Sequence, residues 1–155
     1  MSRSRTTMVL AALAAAGLLI DTVVHFDLAS AFAGHKTSTI SEPTVFRIDA
    51  TIAAVAAVLV LVLPRRATAA FAFLVAAAGT VAVVLYRYVD VGAIGPLPNM
   101  YDPYWLPTGK WVSAIGEAVS AIASLTLFLR LSSTGRVAPG AAAAGRGRLH
   151  LRHTH

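Results

Sequence analysis

The chain has 155 residues, of which 57% are hydrophobic and 13% are charged, and its formal net charge is +6. Soluble domains carry about 25% charged residues, so this chain has too few charges to cover a large apolar interior in water. It contains no cysteine, which excludes disulfide frameworks, cysteine-ligated metal sites and thiol nucleophiles within it. The composition therefore indicates a small protein that crosses a membrane several times.

Four apolar stretches are long enough to cross a hydrocarbon core about 30 Å thick, which requires about 20 helical residues. They cover about residues 8–33, 44–63, 67–89 and 110–131. Because backbone groups in lipid must form their hydrogen bonds within each segment, each stretch is predicted to be a helix. The sequence thus predicts an all-α, four-helix transmembrane bundle over residues 1–131, followed by a disordered basic tail over residues 132–155.

The first span allows two interpretations. Two N-terminal arginines, an apolar run and the triplet Ala31-Phe32-Ala33 match a secretory signal peptide with its cleavage site. Asp21 and His25 interrupt the residues that would lead to that cleavage site. For this reason we favour a first helix that is retained in the membrane.

The basic residues predict the orientation, because loops rich in Lys and Arg stay in the cytoplasm. If both termini lie inside, most of the 13 basic residues are cytoplasmic and none of the seven acidic residues is. The net charge of +6 is then a signal of topology rather than a nucleic-acid-binding patch. We predict a multi-pass protein of the cell membrane, N-in and C-in, whose helices contact the lipid bilayer.

Ionisable residues inside the spans require an explanation, since each costs at least about 2.5–3.5 kcal/mol to insert. They gather in the predicted outer half of the bundle and are Asp21, His25, Arg47, Asp49, Arg87, Asp90 and Glu117. Glu117 shares one face of its helix with three serines, which are Ser113, Ser120 and Ser124. Small residues of this kind let helices approach closely, so we expect the Glu117 face to turn toward the bundle interior.

Two interpretations of this polar cluster stay open. In the first, the two arginines neutralise carboxylates in a structural network that fixes the helix packing. In the second, the residues line a pocket for a cation, a proton or a polar ligand. Carboxylates and an imidazole can bind a divalent metal, but two arginines at the same level would repel it. We therefore predict no metal site and no cofactor at the cluster.

Three histidines near the C-terminus resemble a histidine-rich metal tract, and they are His150, His153 and His155. Metal sites need ligands in an organised geometry with supporting hydrogen bonds. A disordered tail does not provide such a geometry. We therefore predict no metal site in the tail either.

The predicted outer loop between the third and fourth spans is rich in proline and is expected to be ordered. It carries Tyr101, Tyr104 and Trp105, and Trp111 lies just beyond it. Tyr and Trp favour the headgroup level of a bilayer, so an aromatic belt is the first interpretation. The alternative is that these residues form a lid over the polar cluster or a surface that contacts a partner.

No hydrolase, metalloprotease, dinucleotide-binding or P-loop motif occurs in the sequence, and we do not expect an enzyme. The sequence favours a non-enzymatic accessory or scaffold subunit of a larger membrane complex, in contact with a protein partner or with further copies of itself. The alternative is a small ligand-binding or transport protein with a polar pocket in the outer half of the bundle.

Three short motifs carry a resemblance to known proteins: HFDL at residues 25–28, ISEPTVFRIDA at residues 40–50 and YRYVDVGAIGPLPNMY at residues 86–101. They resemble a group of small, uncharacterised four-helix integral membrane proteins common in actinobacteria. The resemblance covers about residues 8–131 and implies the same four-helix topology, without an activity to carry over. This chain has Asp49 where the group usually has Glu, which shortens the reach of the side chain but keeps its charge.

Overall fold

The computed structural model describes residues 4–34, 36, 38–105 and 109–134. These residues form four helices, α1 (Arg5–Ala31), α2 (Glu42–Val62), α3 (Arg66–Tyr88) and α4 (Gly109–Thr134). All four are long and apolar enough to cross a membrane, and the described residues contain no strand. The prediction of an all-α protein with four spans is confirmed.

The helix ends lie within three residues of the predicted boundaries. α1 begins earlier than its apolar run because Ser4 caps it, with the Ser4 hydroxyl accepting a hydrogen bond from the backbone N–H of Thr7. α2 has Pro43 in its first turn, where a missing N–H is tolerated. α4 continues to Thr134, two residues beyond the predicted start of the tail, and the rest of the predicted tail lies outside the described residues.

The helices are arranged in the ring order α1, α2, α3, α4. α1 packs along both α2 and α4, whereas α3 packs extensively along α4 and less so along α2. α1 and α4 approach each other closely at two glycines, where a Cβ atom on Gly17 would lie only 2.2 Å from the carbonyl oxygen of Gly116. The Ser120 hydroxyl donates a hydrogen bond to the carbonyl of Ala14 at 2.9 Å beside this contact. Small residues thus bring the two backbones together.

The two halves of the bundle differ in polarity. The half that contains the N-terminus of α1 and the C-terminus of α4 has a core of alanines together with Leu18, Val60 and Leu127. Large apolar side chains such as Val23, Leu74 and Ile122 are exposed on the outside of the helices. An apolar exterior of this extent suits contact with lipid rather than with water.

The opposite half ends in two connections, which follow α1 and α3, and we call it the loop end. The connections are bonded to each other, because the Ser38 hydroxyl donates to the carbonyl of Gly95 at 2.9 Å and the Ile40 N–H donates to the carbonyl of Pro96 at 3.0 Å. The connection after α3 is also attached to α4 through an ion pair between Asp102 and Lys110. The described part of this proline-rich loop is therefore held against the helix ends.

Candidate functional site

Four ionisable residues from three helices meet inside the loop end, and we call them the acidic cluster. They are Asp21 and His25 of α1, Asp49 of α2 and Glu117 of α4, and one ligand atom from each lies within 4.8 Å of all the others. Asp21 and Glu117 are each 2% exposed, while His25 and Asp49 are half-buried. The structure thus brings together four of the residues that the sequence placed at one level.

His25 bridges two carboxylates of the acidic cluster. Asp21 and His25 lie one helical turn apart on the same face of α1, and the His25 Nδ1 atom is 2.6 Å from Asp21 Oδ1. The other ring nitrogen, Nε2, is 3.6 Å from Asp49 Oδ2 across the α1–α2 contact. The ring of Phe46 packs edge-on against the imidazole at 5.5 Å. The orientation of the His25 ring is therefore fixed from three sides.

Glu117 is buried without a full set of hydrogen bonds. The Ser113 hydroxyl lies 2.5 Å from Asp21 Oδ1 and 3.5 Å from Glu117 Oε1. Since one hydroxyl hydrogen can be donated to only one acceptor at full strength, Ser113 donates to Asp21. The second carboxyl oxygen of Glu117, Oε2, is buried and has no hydrogen-bond partner among the described residues.

A glycine of α3 gives the Glu117 carboxyl group its space. A Cβ atom on Gly79 would lie 2.6 Å from Glu117 Oε1 and 2.8 Å from its carboxyl carbon. Gly79 therefore lets the α3 backbone lie directly against the carboxyl group. We did not single out Gly79 in the sequence; the only signal that could have found it is a glycine in the middle of a span.

A cavity of about 150 Å³ adjoins the acidic cluster and is lined by all four helices. His25, Asp49 and Glu117 line its inner part, and the loop residues Trp105 and Tyr104 line its outer part. Glu117 lies about two turns from the start of α4, so the cavity reaches well into the bundle. Its volume is sufficient for several water molecules or a small solute.

The arginines are not paired with the acidic cluster. Arg87 lines the cavity, but its guanidinium carbon lies 4.9 Å from the centre of the Tyr88 ring and 5.6 Å from that of Trp105. Its buried Nε atom has no hydrogen-bond partner among the described residues. Arg47 is exposed on α2, because two residues along a helix correspond to about 200° and turn it away from Asp49.

Asp90 also lies apart from the acidic cluster. It follows the end of α3 and is exposed, and its carboxylate accepts hydrogen bonds from the Gly92 N–H at 3.1 Å and from the Asn99 side chain at 3.0 Å. These bonds shape the loop. Asp90 is thus a turn residue in the structure.

The four aromatic residues of the predicted contact surface separate into two groups. Trp105 is half-buried in the cavity wall, and Tyr104 lines the same cavity while exposing much of its ring. Tyr101 and Trp111 are exposed. Trp105 and Tyr104 of the loop therefore line the cavity, whereas Tyr101 of the loop and Trp111 of α4 lie on the surface.

Comparisons of the chain with protein-family models, with curated proteins and with solved structures find no match. Membership of the actinobacterial group stays a prediction. The function must therefore be inferred from the acidic cluster and its cavity.

Proposed function

We propose that this small integral membrane protein binds a small cationic ligand in the cavity at its loop end. The observation that carries the proposal is Glu117, which lines the cavity and whose buried carboxyl oxygen Oε2 has no hydrogen-bond partner among the described residues. A buried polar group without a partner costs about 1–3 kcal/mol. A ligand that brings positive charge or hydrogen-bond donors would remove that cost.

The charge distribution supports a cation. The acidic cluster contains three carboxyl groups and one imidazole, so its inner surface is rich in oxygen acceptors. The nearest arginine along α3, Arg87, lies about 12 Å along the helix axis from Gly79, which contacts Glu117. Its guanidinium group stacks on aromatic rings. The inner part of the cavity therefore favours positive charge, while Arg87 lies toward the loop.

Tryptophan fluorescence gives a direct test, because the chain has two tryptophans and only Trp105 lines the cavity. A Trp111→Phe background leaves Trp105 as the single reporter. The purified protein would be titrated with ammonium, methylammonium and guanidinium salts and with divalent metal chlorides, and its emission and melting temperature recorded. We expect at least one of these cations to shift both signals.

The matched variants are Glu117→Gln and Asp27→Asn. Glu117→Gln removes the carboxyl group at the cavity and should weaken binding at least tenfold, whereas Asp27 is exposed on α1 and its substitution should leave binding unchanged. The proposal fails if no cation moves either signal in the parent protein, or if Glu117→Gln binds as tightly as the parent.

The accessory or scaffold role is a second candidate, supported by the aromatic side chains that the loop end exposes, above all Tyr104 and Trp111. Exposed aromatic groups are common at contact surfaces. Purification from native membranes in mild detergent tests this role. Recovery of a larger complex in fixed stoichiometry supports it, whereas recovery of this chain alone contradicts it.

A further inference from the structure

Three side chains of metal-binding type face the same cavity from three helices: His25, Asp49 and Glu117. Their ligand atoms lie within 4.8 Å of one another. Two ligand atoms bound to one ion at about 2.0–2.2 Å are about 3–4 Å apart, depending on the angle between the two bonds. Side-chain movements of about 1 Å would therefore bring all three to coordination distance.

Asp21 is placed to orient the imidazole of His25. Its carboxylate lies 2.6 Å from His25 Nδ1, a distance at which a ring N–H donates to a carboxylate. That bond leaves Nε2 directed toward Asp49 Oδ2, 3.6 Å away. Histidines that bind metals almost always donate their other ring N–H to a carboxylate, a carbonyl or water. Ser113 in turn holds Asp21 by donating to the same Oδ1 atom at 2.5 Å.

Glu117 provides an independent sign of a ligand. It is 2% exposed, it lines the cavity, and its Oε2 atom has no hydrogen-bond partner among the described residues. The Ser113 hydroxyl is taken by Asp21, and Gly79 supplies no side chain to pair with the carboxyl group. A small rotation of the Glu117 side chain would turn this unpaired oxygen toward the cavity, where it can bind a metal ion.

We infer that the cavity holds one divalent transition-metal ion of the Mn²⁺, Fe²⁺ or Zn²⁺ class, bound by His25 Nε2 and the carboxylates of Asp49 and Glu117, with Asp21 as a positioning residue. An imidazole among carboxylates suits these ions better than Ca²⁺ or Mg²⁺, which prefer oxygen ligands throughout. The inference names the ligand class of the proposed cation site and so rests on that proposed function.

The structure also answers the objection that two arginines would repel a metal. Arg47 is exposed on α2, and the guanidinium group of Arg87 stacks on Tyr88 and Trp105. Three carboxylates and one divalent ion leave one negative charge, so a divalent ion does not make the acidic cluster positive. Arg87 lines the same cavity but is not paired with the acidic cluster.

The experiment uses the full chain with His150→Gln, His153→Gln and His155→Gln, which removes the histidine tract near the C-terminus as a competing site. The metal-free protein in detergent would be titrated with Mn²⁺, Zn²⁺, Co²⁺, Mg²⁺ and Ca²⁺. We expect one equivalent of Mn²⁺, Zn²⁺ or Co²⁺ to bind and to raise the melting temperature, with Mg²⁺ and Ca²⁺ at least tenfold weaker. Co²⁺ should show an absorption band typical of mixed nitrogen and oxygen ligands.

The variants separate ligands from positioning residues. Asp49→Asn and Glu117→Gln should weaken binding at least about 100-fold, since changes outside the ligand set already cost about 10–100-fold. Asp49→Glu keeps the carboxylate and should restore binding to within tenfold of the parent, which also shows that position 49 tolerates substitution. Asp21→Asn should weaken binding about 10–100-fold and shift the Co²⁺ band, a spectral change that a purely structural role would not produce.

Each outcome distinguishes this inference from the proposed function. Equal metal affinity in the parent, Asp49→Asn and Glu117→Gln overturns the metal site. The metal site is also overturned if no metal binds while ammonium or guanidinium still shifts the emission of Trp105. In that case the proposed cation site itself stands. If neither metals nor organic cations move the signal, both proposals are wrong.

Discussion

The carboxyl group of Glu117 is enclosed by α1, α3 and α4, it lies beside the Asp21 carboxyl group, and its contact with the Ser113 hydroxyl is long. Ser113 lies 3.5 Å from Oε1 and donates preferentially to Asp21. The Glu117 side chain is packed against Gly79 of α3, but its Oε2 atom has no hydrogen-bond partner among the described residues. The carboxyl group of Glu117 can therefore bind a ligand, but it lowers the folding stability of the protein without one.

The direction in which Glu117→Gln changes the melting temperature distinguishes a binding site from a structural network. We expect the melting temperature of the ligand-free protein to stay the same or to rise, because a buried polar atom without a partner, such as Glu117 Oε2, costs about 1–3 kcal/mol. An ion-pair network predicts the opposite, since breaking a buried pair costs about 3–5 kcal/mol. Thermal unfolding followed by circular dichroism measures the difference, and a large fall in melting temperature would contradict the binding site.

Gly79→Ala tests the space around the same carboxyl group. The added Cβ atom would lie 2.6 Å from Glu117 Oε1, so the flexible Glu117 side chain must move away from it. We expect cation affinity to fall about tenfold, with a loss of folding stability below about 1.5 kcal/mol. Ala78→Val, which adds volume at the neighbouring exposed position of α3, is the control and should leave affinity unchanged.

Helical spacing explains which members of the acidic cluster could be predicted from the sequence. The i, i+4 pair Asp21 and His25 and the serine-lined face of Glu117 fix a direction within one helix, and the structure has them facing inward. Pairing between helices depends on how each helix is rotated about its axis. Shared depth in the membrane left open whether Arg47 and Arg87 neutralise the carboxylates, because depth carries no information on that rotation.

At the scale of the helices, the contact between α1 and α4 sets the position of Asp21 against Ser113. Gly17 and Gly116 meet four residues or fewer from these side chains along each helix, and Ser120 bonds across the same contact. Because these residues have small side chains, the backbones come close enough for the Ser113 hydroxyl to reach Asp21. The small-residue contact therefore supports the acidic cluster.

Gly17→Ala should disrupt this contact. The new Cβ atom would lie 2.2 Å from the carbonyl oxygen of Gly116, a backbone atom that can yield only if the helices separate. We expect a loss of about 1–3 kcal/mol of folding stability, measured as a lower midpoint in denaturant or heat. Ala16→Val places extra volume on the exposed side of the same helix and should change stability little. Equal effects of the two variants would contradict the close contact.

The helices themselves were predictable because a hydrocarbon core demands long apolar segments. Their ends were less predictable, since polar capping residues such as Ser4 extend α1 beyond its apolar run. Their ring order was not predictable at all. Each helix carries alanines on its buried face, so the sequence gives no preference for one neighbour over another.

For the whole molecule, the distribution of basic residues leads us to propose that both termini lie in the cytoplasm. The chain contains no cysteine, so single cysteines can be introduced and labelled in intact cells. We expect Thr39→Cys, which is exposed at the loop end, to react with a membrane-impermeant maleimide. Ser133→Cys, at the other end of the bundle, should react only after the cells are permeabilised. The reverse pattern would overturn the orientation.

The alanine core described above means that the cavity can be reached from the loop end but not from the opposite end of the bundle. Between the acidic cluster and the opposite end of the bundle, the buried side chains among the described residues are alanines, Leu18, Val60, Leu127, Ser120 and Ser124. This region contains no buried charged side chain among the described residues, so an ion that reaches Glu117 from the loop end meets a mostly apolar barrier and would return by the path it entered. Occupancy of the cavity would then follow the concentration in one compartment, and the bound ion would cross only part of the membrane potential, which for a full crossing is worth about 2.3 kcal/mol per charge at 100 mV. The proposed cation would therefore enter and leave its site from the loop end alone.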